Sequence, residues 1–336
     1  MKALKIIFIA AILMMAKTGF SQDSHLSMTD DAPVLMNPSH TGTYDGSFRF
    51  HLQHRSQWKS MLSKSFLTEV FSAEMNLRPF GAGLLVLNNH AGVGNFNQFG
   101  MYASGSYEVT IDPNKYHHLF CGVQLGFVQN SINIASLTFD NQYTMSGGGG
   151  FDITQPTGEN FTKTSAIAPD VNFGISYIAL KKMNYFSSFV YKTSTWTPYG
   201  GITGFHLTQP KLTFSEFKNK LSRRWLFYGG VKYKINTNLC VDPNIQWENQ
   251  AKVNDFKFGS YGYYYIGSYQ VFAMTGIHYR MKDALVLSMG GLYKQYALKL
   301  GYDINISKLN VATRGRGGFE ISFTYTFLNE QSYSLL

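Results

Sequence analysis

Apolar and polar residues alternate strictly between Gly318 and Phe327. Successive side chains of a β-strand point to opposite faces, so the pattern predicts a strand with one polar face and one aromatic-rich face. Such a strand needs either a protein core and water, or lipid and a polar lumen. The residues on the apolar side are Phe319, Ile321, Phe323, Tyr325 and Phe327.

The same alternation recurs along the chain, with apolar residues on one face and Gly, Ser, Gln, Lys or Glu opposite. A soluble sandwich would carry more surface Lys and Glu, whereas this chain has only 15% charged residues beside 27 Phe, 22 Tyr and 32 Gly. We therefore predict an all-β fold, a transmembrane antiparallel β-barrel of about 14 strands. The predicted strands cover residues 46–55, 66–76, 82–89, 97–108, 117–128, 168–178, 198–207, 226–235, 239–248, 256–265, 269–280, 284–293, 296–305 and 318–327.

The connections between these strands alternate in length, as expected if short turns lie at one end of a barrel and long loops at the other. With an even number of strands, the first strand begins at the same end of the barrel at which the last strand finishes. We therefore expect both chain termini in the periplasm, beside the short turns. Two connections fit less well. Residues 179–197 make a long periplasmic link in which 184–191 could form an extra strand, and residues 281–283 make a very short external link.

The first 21 residues have the features of a cleaved secretory signal peptide: a basic start, a short apolar run and small residues near Ser21. No later stretch is long and apolar enough for a transmembrane helix. We divide the chain into a signal peptide (1–21), a periplasmic N-terminal segment (22–45), an outer-membrane barrel (46–327) and a C-terminal tail (328–336).

Loss of three lysines with the signal peptide lowers the formal charge from +9 to +6. The remaining basic residues are scattered, so no nucleic-acid partner is expected. The basic segment 218–225 could bind acidic lipid headgroups or a protein, or be a solvated loop. Cys121 and Cys240 could form a disulfide in an oxidising compartment, and the sequence leaves this open.

Polar side chains form no recognisable catalytic or metal-binding motif. His51, His54 and Arg55 cluster without metal-ligand spacing, and neighbouring His117 and His118 point to opposite faces of a strand. No nucleophile elbow, zinc-protease motif or phosphate-binding glycine loop is present in the sequence. We expect no enzyme activity, cofactor or metal, although a Ser and a His paired in space on the barrel exterior would make a lipid hydrolase.

Several short motifs, in order and over nearly the whole mature chain, resemble the PorP/SprF-type membrane proteins of the type IX secretion system. Each motif is weak alone, and the order and coverage carry the resemblance. The motifs are Asn37-Pro38-Ser39-His40-Thr41-Gly42, Arg55-Ser56-Gln57-Trp58, residues 83–92, Gly122-Val123-Gln124-Leu125-Gly126-Phe127, residues 137–143, Pro156-Thr157-Gly158-Glu159, Gly301-Tyr302-Asp303 and residues 317–322.

This resemblance implies a non-enzymatic outer-membrane barrel of gliding or secreting Bacteroidota. Such proteins act as adaptors that help cargo adhesins with a C-terminal sorting domain to be exported and held at the cell surface. The resemblance also implies the partners: outer-membrane lipid, the cargo's C-terminal domain, and secretion machinery that includes a periplasmic ring lipoprotein and a peptidoglycan-binding protein.

We expect partner contacts in two regions, the N-terminal motifs and the Gly-rich loop 129–167. The candidate residues are Asn37, Pro38, Arg55, Trp58, Phe151, Thr157 and Glu159. Asn37-Pro38 could instead only set a turn before the first strand, and the loop could be a plug, a lid, a contact surface or a disordered connection. The alternative function is a diffusion channel or substrate transporter, because a barrel of this width has a lumen that must be filled or wet.

Overall fold

The computed structural model describes residues 23–58, 65–92, 94–111, 116–144, 150–159, 161, 163–179, 195–214, 220–307, 310–313 and 315–327. Fourteen strands form one closed antiparallel barrel, which confirms the predicted fold class. They are β1 (Phe48–Gln57), β2 (Phe66–Leu77), β3 (Phe80–Ala91), β4 (Phe96–Thr110), β5 (His117–Ser131), β8 (Ser165–Ala179), β9 (Trp196–Phe205), β10 (Arg224–Lys234), β11 (Leu239–Gln250), β12 (Val253–Ile266), β13 (Val271–Arg280), β14 (Ala284–Tyr293), β15 (Tyr296–Asn305) and β16 (Arg316–Phe327).

The remaining regular elements are short. A two-stranded hairpin lies in the connection between β5 and β8, formed by β6 (Tyr143–Thr144) and β7 (Gly150–Phe151). None of the helices among the described residues is long and apolar enough to cross a membrane. The helices are α1 (Pro33–Met36), α2 (Asn310–Thr313) and 3₁₀ turns at Thr29–Asp31, Pro38–His40, Ile134–Ser136 and Asp140–Gln142.

Every barrel strand pairs with its neighbour in chain order, and β1 closes the barrel by pairing with β16 from Phe48↔Phe327 to Gln57↔Gly318. We call the end where β1 begins and β16 finishes the short-turn end, because tight connections such as 78–79 and 294–295 lie there. The opposite end, the long-loop end, carries 132–164 and 206–223. The number of strands agrees with the sequence prediction, and the strand boundaries agree to within a few residues. The longest connections lie at the predicted end of the barrel.

The structure describes one of the two connections that the sequence left in doubt. Residues 281–283 form a real tight turn, because β13 and β14 pair up to Arg280↔Ala284 and Lys282 takes a left-handed conformation with φ 62°. The proposed extra strand at 184–191 lies outside the described residues. Cys121 on β5 and Cys240 on β11 are both free, so the disulfide that the sequence left open is absent here.

The two faces of each strand differ in solvent exposure as the alternation predicted. On β1, Phe48 and Phe50 are exposed on the outside, while Arg49 and Arg55 are buried on the inside. Aromatic pairs ring the exterior near both ends. Exposed aromatic girdles around an apolar band are typical of a barrel that sits in lipid. Examples are Phe80–Tyr107 and Trp196–Tyr233 at the short-turn end (centroids 5.0 and 4.4 Å apart) and Phe227–Trp247 near the other (5.1 Å).

A lipid-facing exterior predicts that the cost of a charge depends on depth. Met289 points outward from the middle of β14 and is 65% exposed, so Met289→Lys should lower the free energy of unfolding in lipid vesicles by about 2–4 kcal/mol. Asn88→Lys is the control, because Asn88 points outward near the long-loop end of β3 beside Glu69 (3.4 Å) and should cost about 0–1 kcal/mol. If a denaturant titration showed that both substitutions lower the free energy of unfolding equally, the prediction of a lipid-facing exterior would be contradicted.

Candidate functional site: a lumen filled by the N-terminal segment

Residues 23–45, which we call the luminal segment, run through the inside of the barrel. The Asp23 amide donates to Gln250 Oε1 (2.8 Å) near the long-loop ends of β9 to β11, whereas Tyr44 Oη donates to the Glu74 carbonyl (2.7 Å) at the short-turn end. The sequence predicts that residues 22–45 form a segment before the barrel, with the N terminus beside the C terminus. The structure instead places Asp23 and Phe327 at opposite ends of the lumen.

Local sequence explains the compact shape of this segment. Pro33 and Pro38 each occupy a first-turn position, where a missing N–H has no cost. Asn37 caps the second turn, since its Oδ1 accepts from the Ser39 amide (2.9 Å). Turns this short leave backbone carbonyls unpaired, and wall side chains satisfy them. Gln124 donates to the Val34 carbonyl (2.8 Å), and Thr203 donates to the Met36 carbonyl (3.0 Å).

A buried group of charges holds the first turn of the luminal segment to strands β1, β15 and β16. The guanidinium of Arg55 lies 2.7 Å from both Asp303 Oδ2 and Glu320 Oε2, and Arg55 has no exposed surface. The amides of Ser27 and Met28 donate to the two oxygens of Glu320 at 2.9 and 3.1 Å. We call Ser27, Met28, Arg55, Asp303 and Glu320 the seam cluster, because Arg55 and Glu320 face each other where the barrel closes.

Two acidic residues of the same turn contact other strands of the wall. Asp30 accepts from Tyr261 (3.1 Å) and lies 3.5 Å from the ammonium of Lys257 on β12. Asp31 accepts from Ser322 (2.9 Å) on β16 and pairs with Lys299 on β15. Both carboxylates of this turn thus meet a cation of the wall, as buried charges require.

The second half of the segment lies on wall glycines. Asn37 Nδ2 donates to the Ile175 carbonyl and to Tyr228 Oη, both at 3.1 Å. A Cβ at Gly122 would lie 2.3 Å from the Ser39 nitrogen, and one at Gly174 would lie 2.0 Å from Asn37 Oδ1. Only glycine permits this close approach of a backbone to a strand.

The start of the segment is held by a histidine between two carboxylates. His206, which follows β9, has Nε2 2.8 Å from Asp23 Oδ2 and Nδ1 2.6 Å from Asp170 Oδ2. Burial alone would lower the pKa of His206, but Asp23 and Asp170 raise it to about 9. Burial alone would raise the pKa of Asp23, but His206 and Arg224 hold it below its usual value. The imidazolium therefore links the segment to the wall at neutral pH.

Apolar packing closes the long-loop half of the lumen. Leu26 and Val34 of the segment belong to one cluster with inward residues of the wall and with two residues of the connection 206–223. Side chains therefore fill most of this half of the barrel. The wall residues are Val70, Leu85, Tyr102, Val128 and Ala166, and the connection contributes Leu212 and Leu221.

A cavity of about 240 Å³ remains in the short-turn half. Its lining mixes aromatic and apolar side chains with charged ones, and its roof is formed by Asp30, Met36 and His40 of the luminal segment. The wall contributes Tyr199, Tyr228, Tyr261, Tyr263, Phe272, Met274, Lys232 and Lys299. A smaller cavity of about 50 Å³ lies near Asp23 and Arg224.

The structure separates the predicted contact residues into two groups. Asn37, Pro38 and Arg55 are all buried in the lumen, where they hold the segment. Trp58 lies at the long-loop rim against Phe66 (centroids 4.7 Å apart). The loop residues lie apart from both: Phe151 (43% exposed) pairs with Tyr143 in the small hairpin, Thr157 is half-buried and Glu159 is exposed.

Sequence reasoning quoted the residues that hold the segment without assigning them this role. Asp303, Glu320 and Gln124 lie in motifs used for the family resemblance, and so do Gly122 and Arg55. The signal that was available is their position, since each falls on the inward face of its strand. No group of His, Cys, Asp or Glu among the described residues has the geometry to hold a metal ion.

Comparison with known proteins gives a family and a fold. A family model described as "Type IX secretion system membrane protein PorP/SprF" matches residues 18–325. No curated protein matches the chain. The barrel is similar to the Ralstonia pickettii toluene transporter TbuX (10% identity, 92% of this chain and 96% of that one, TM-score 0.51). It is also similar to the P. putida toluene transporter TodX (9% identity, 89% and 95%, TM-score 0.51).

A side chain on a wall glycine should displace the luminal segment. Gly122→Ala places a Cβ 2.3 Å from backbone atoms of Pro38 and Ser39, so we expect a loss of about 1–3 kcal/mol in the free energy of unfolding and faster proteolysis of residues 23–45. Gly105→Ala is the matched control, because its Cβ would meet only the Gly81 oxygen at 3.9 Å. If both variants behave alike in thermal unfolding and limited proteolysis, the close contact between Gly122 and the luminal segment does not stabilise the protein.

Because His206 is charged, its stabilisation of the luminal segment depends on pH. Because the folded pKa of about 9 exceeds the unfolded value of about 6.5, the stabilisation is fully present below about pH 6.5 and is lost as pH rises through about 9. The melting temperature of the parent should therefore fall between about pH 7 and pH 10, and that of His206→Gln should start lower and fall less. His54→Gln, at an exposed pair with Glu69, is the control and should follow the parent.

Proposed function

The chain belongs to the PorP/SprF family of type IX secretion system membrane proteins, and from this we propose that it is an outer-membrane adaptor of the secretion and gliding machinery. In this role it assists the export or surface anchoring of cargo adhesins that carry a C-terminal sorting domain. Its lipid-facing strands hold it in the outer membrane, and its ends bind other proteins. Function then depends on surfaces held in place, without bond chemistry.

The filled lumen is the observation that supports an adaptor best. Polar and apolar contacts hold residues 23–45 from one end of the barrel to the other, and packed side chains occupy the long-loop half. A wide passage for solutes would require removal of this segment against buried ion pairs. The surfaces that remain available in the described structure are the lipid-facing exterior and the two ends.

We assign the short-turn end to the periplasm, since outer-membrane barrels carry short turns there and long loops outside. That orientation places the end of β16 in the periplasm, with the 240 Å³ cavity in the same half of the lumen. The secretion ring lipoprotein and the peptidoglycan-binding protein are the partners proposed for this end. The luminal segment then begins near the external end of the barrel.

The candidate contact residues divide between direct and indirect roles in this proposal. Phe151 and Glu159 are exposed and Thr157 is half-buried, so the long loop can meet cargo without rearrangement. Trp58 lies at the same end. Asn37, Pro38 and Arg55 are buried, and their proposed role is to hold the luminal segment in place. We propose no enzyme activity and no cofactor.

The second candidate function is a diffusion channel or transporter for small apolar molecules. The aromatic lining of the 240 Å³ cavity favours it, with Phe272, Tyr261 and Met274 on its wall. The similar structures described as toluene transporters agree with this alternative. Since a cavity of 150 Å³ holds benzene, one small aromatic molecule would fit.

Deletion of the gene tests the adaptor directly. We expect surface display of adhesins with a C-terminal sorting domain to be lost and to return with the parent gene. The double variant Phe151→Ala and Glu159→Ala should restore it only in part. Lys282→Ala, in the exposed turn 281–283 at the same end, is the matched control and should restore it fully.

Conductance of the purified barrel in planar bilayers separates the two functions. The adaptor predicts no large steady current, because the luminal segment fills the passage. A steady, ion-selective current together with unchanged adhesin display in the deletion strain would overturn the adaptor in favour of the channel.

A further inference from the structure

We propose that the luminal segment has a further function in assembly: residues 27–31 act as a clamp that closes the barrel by joining β1 to β15 and β16. This function is independent of the secretion partners. It predicts that the contacts of this turn form early in folding, during barrel closure, and are not added to a barrel that has already closed.

The topology makes closure the difficult step. All other neighbouring barrel strands are consecutive along the chain, whereas β1 and β16 pair residues 48–57 with residues 318–327. The entropic cost of bringing chain segments together grows with their separation, and non-local pairings slow folding. Contacts that bridge the two strands before they are fully paired would lower this barrier.

Residues 27–31 are positioned to supply such contacts. Ser27 donates its amide to Glu320 Oε2 on β16 (2.9 Å) and its hydroxyl to Asp303 Oδ2 on β15 (2.7 Å). Asp31 accepts from Ser322 on β16 (2.9 Å) and pairs with Lys299 on β15. The turn is only a short distance before β1 in the chain, so it arrives with β1 at small entropic cost.

Glu320 on β16 has all four of its hydrogen bonds only with the turn in place. Glu320 is 1% exposed, and each of its oxygens accepts one bond from β1 and one from the turn. Oε1 accepts from Gln53 and from the Met28 amide, and Oε2 accepts from Arg55 and from the Ser27 amide. A buried carboxylate that loses half of these donors is strongly destabilised, so strand pairing and docking of the turn favour each other.

The fit of the segment also argues for its presence during closure. Its residues 37–39 lie against the wall glycines Gly122 and Gly174 with no room for a Cβ, and Leu212 and Leu221 of the connection 206–223 pack with Leu26 of the segment. Entry of the segment into a closed barrel from the long-loop end would have to displace these packed leucines. The wall therefore closes around it.

Two serines in the same segment provide a matched test. Ser27→Ala removes hydroxyl contacts to the closing strands, and Ser39→Ala removes a hydroxyl contact of 2.7 Å to Ser176 on β8, away from the closure. Both serines are buried, and both variants should lose stability. The full mature chain is unfolded in urea and diluted into detergent micelles, and folding and unfolding rates are measured from heat-modifiable mobility on gels.

We expect Ser27→Ala to fold at least about fivefold more slowly than the parent, whereas Ser39→Ala folds within about twofold of it and unfolds faster. The proposal is overturned if Ser27→Ala folds at the parent rate and only unfolds faster. Should Ser27→Ala not fold at all, Asp31→Asn and Asp30→Asn replace the pair, because Asp31 bonds to β15 and β16 whereas the hydrogen bonds of Asp30 are to Lys257 and Tyr261 on β12. Equal folding rates in that pair would overturn the proposal as well.

Discussion

The arrangement of this protein depends on the buried ion pairs of Arg55 with Asp303 and Glu320. These three side chains come from strands β1, β15 and β16, so they lie where the barrel closes. The same carboxylates accept hydrogen bonds from Ser27 and Met28 of the luminal segment. Barrel closure and occupation of the lumen therefore share one set of charges, and neither can be altered without the other.

The energetic cost of an unpaired buried charge explains why the ions of this network occur in pairs. Breaking a buried ion pair by removing one partner costs about 3–5 kcal/mol, because the remaining charge is left uncompensated. Three carboxylates of the luminal segment pair with wall cations: Asp23 with Arg224, Asp30 with Lys257 and Asp31 with Lys299. A segment fixed in this way is a structural part of the barrel. This favours a function based on binding surfaces over one based on a passage for solutes.

Sequence reasoning was accurate where the physics is local. The two-faced strand Gly318–Phe327 and its thirteen counterparts were predictable because lipid and lumen impose a period of two on every strand. The ends at which long and short connections lie followed from the same strands, whereas 281–283, which fitted this pattern less well, is a tight turn at the long-loop end. At the site, the motifs identified Asn37, Pro38 and Arg55 as candidate contact residues. They did not predict that these residues are buried or that they hold the luminal segment in the barrel. Glu320 and Asp303 were quoted within motifs but not proposed as their partners.

The sequence by itself determined that the chain forms a membrane barrel of fourteen strands and that it resembles one secretion family, because alternation and short ordered motifs are properties of neighbouring residues. Only the tertiary structure decided that residues 23–45 lie inside the barrel. That placement depends on contacts such as Ser27 with Glu320 and Asn37 with Tyr228, which join residues far apart in the chain. Hydrophobic periodicity carries no information about such pairs. The sequence has a polar residue at a lumen-facing position whether that residue contacts water or a buried segment.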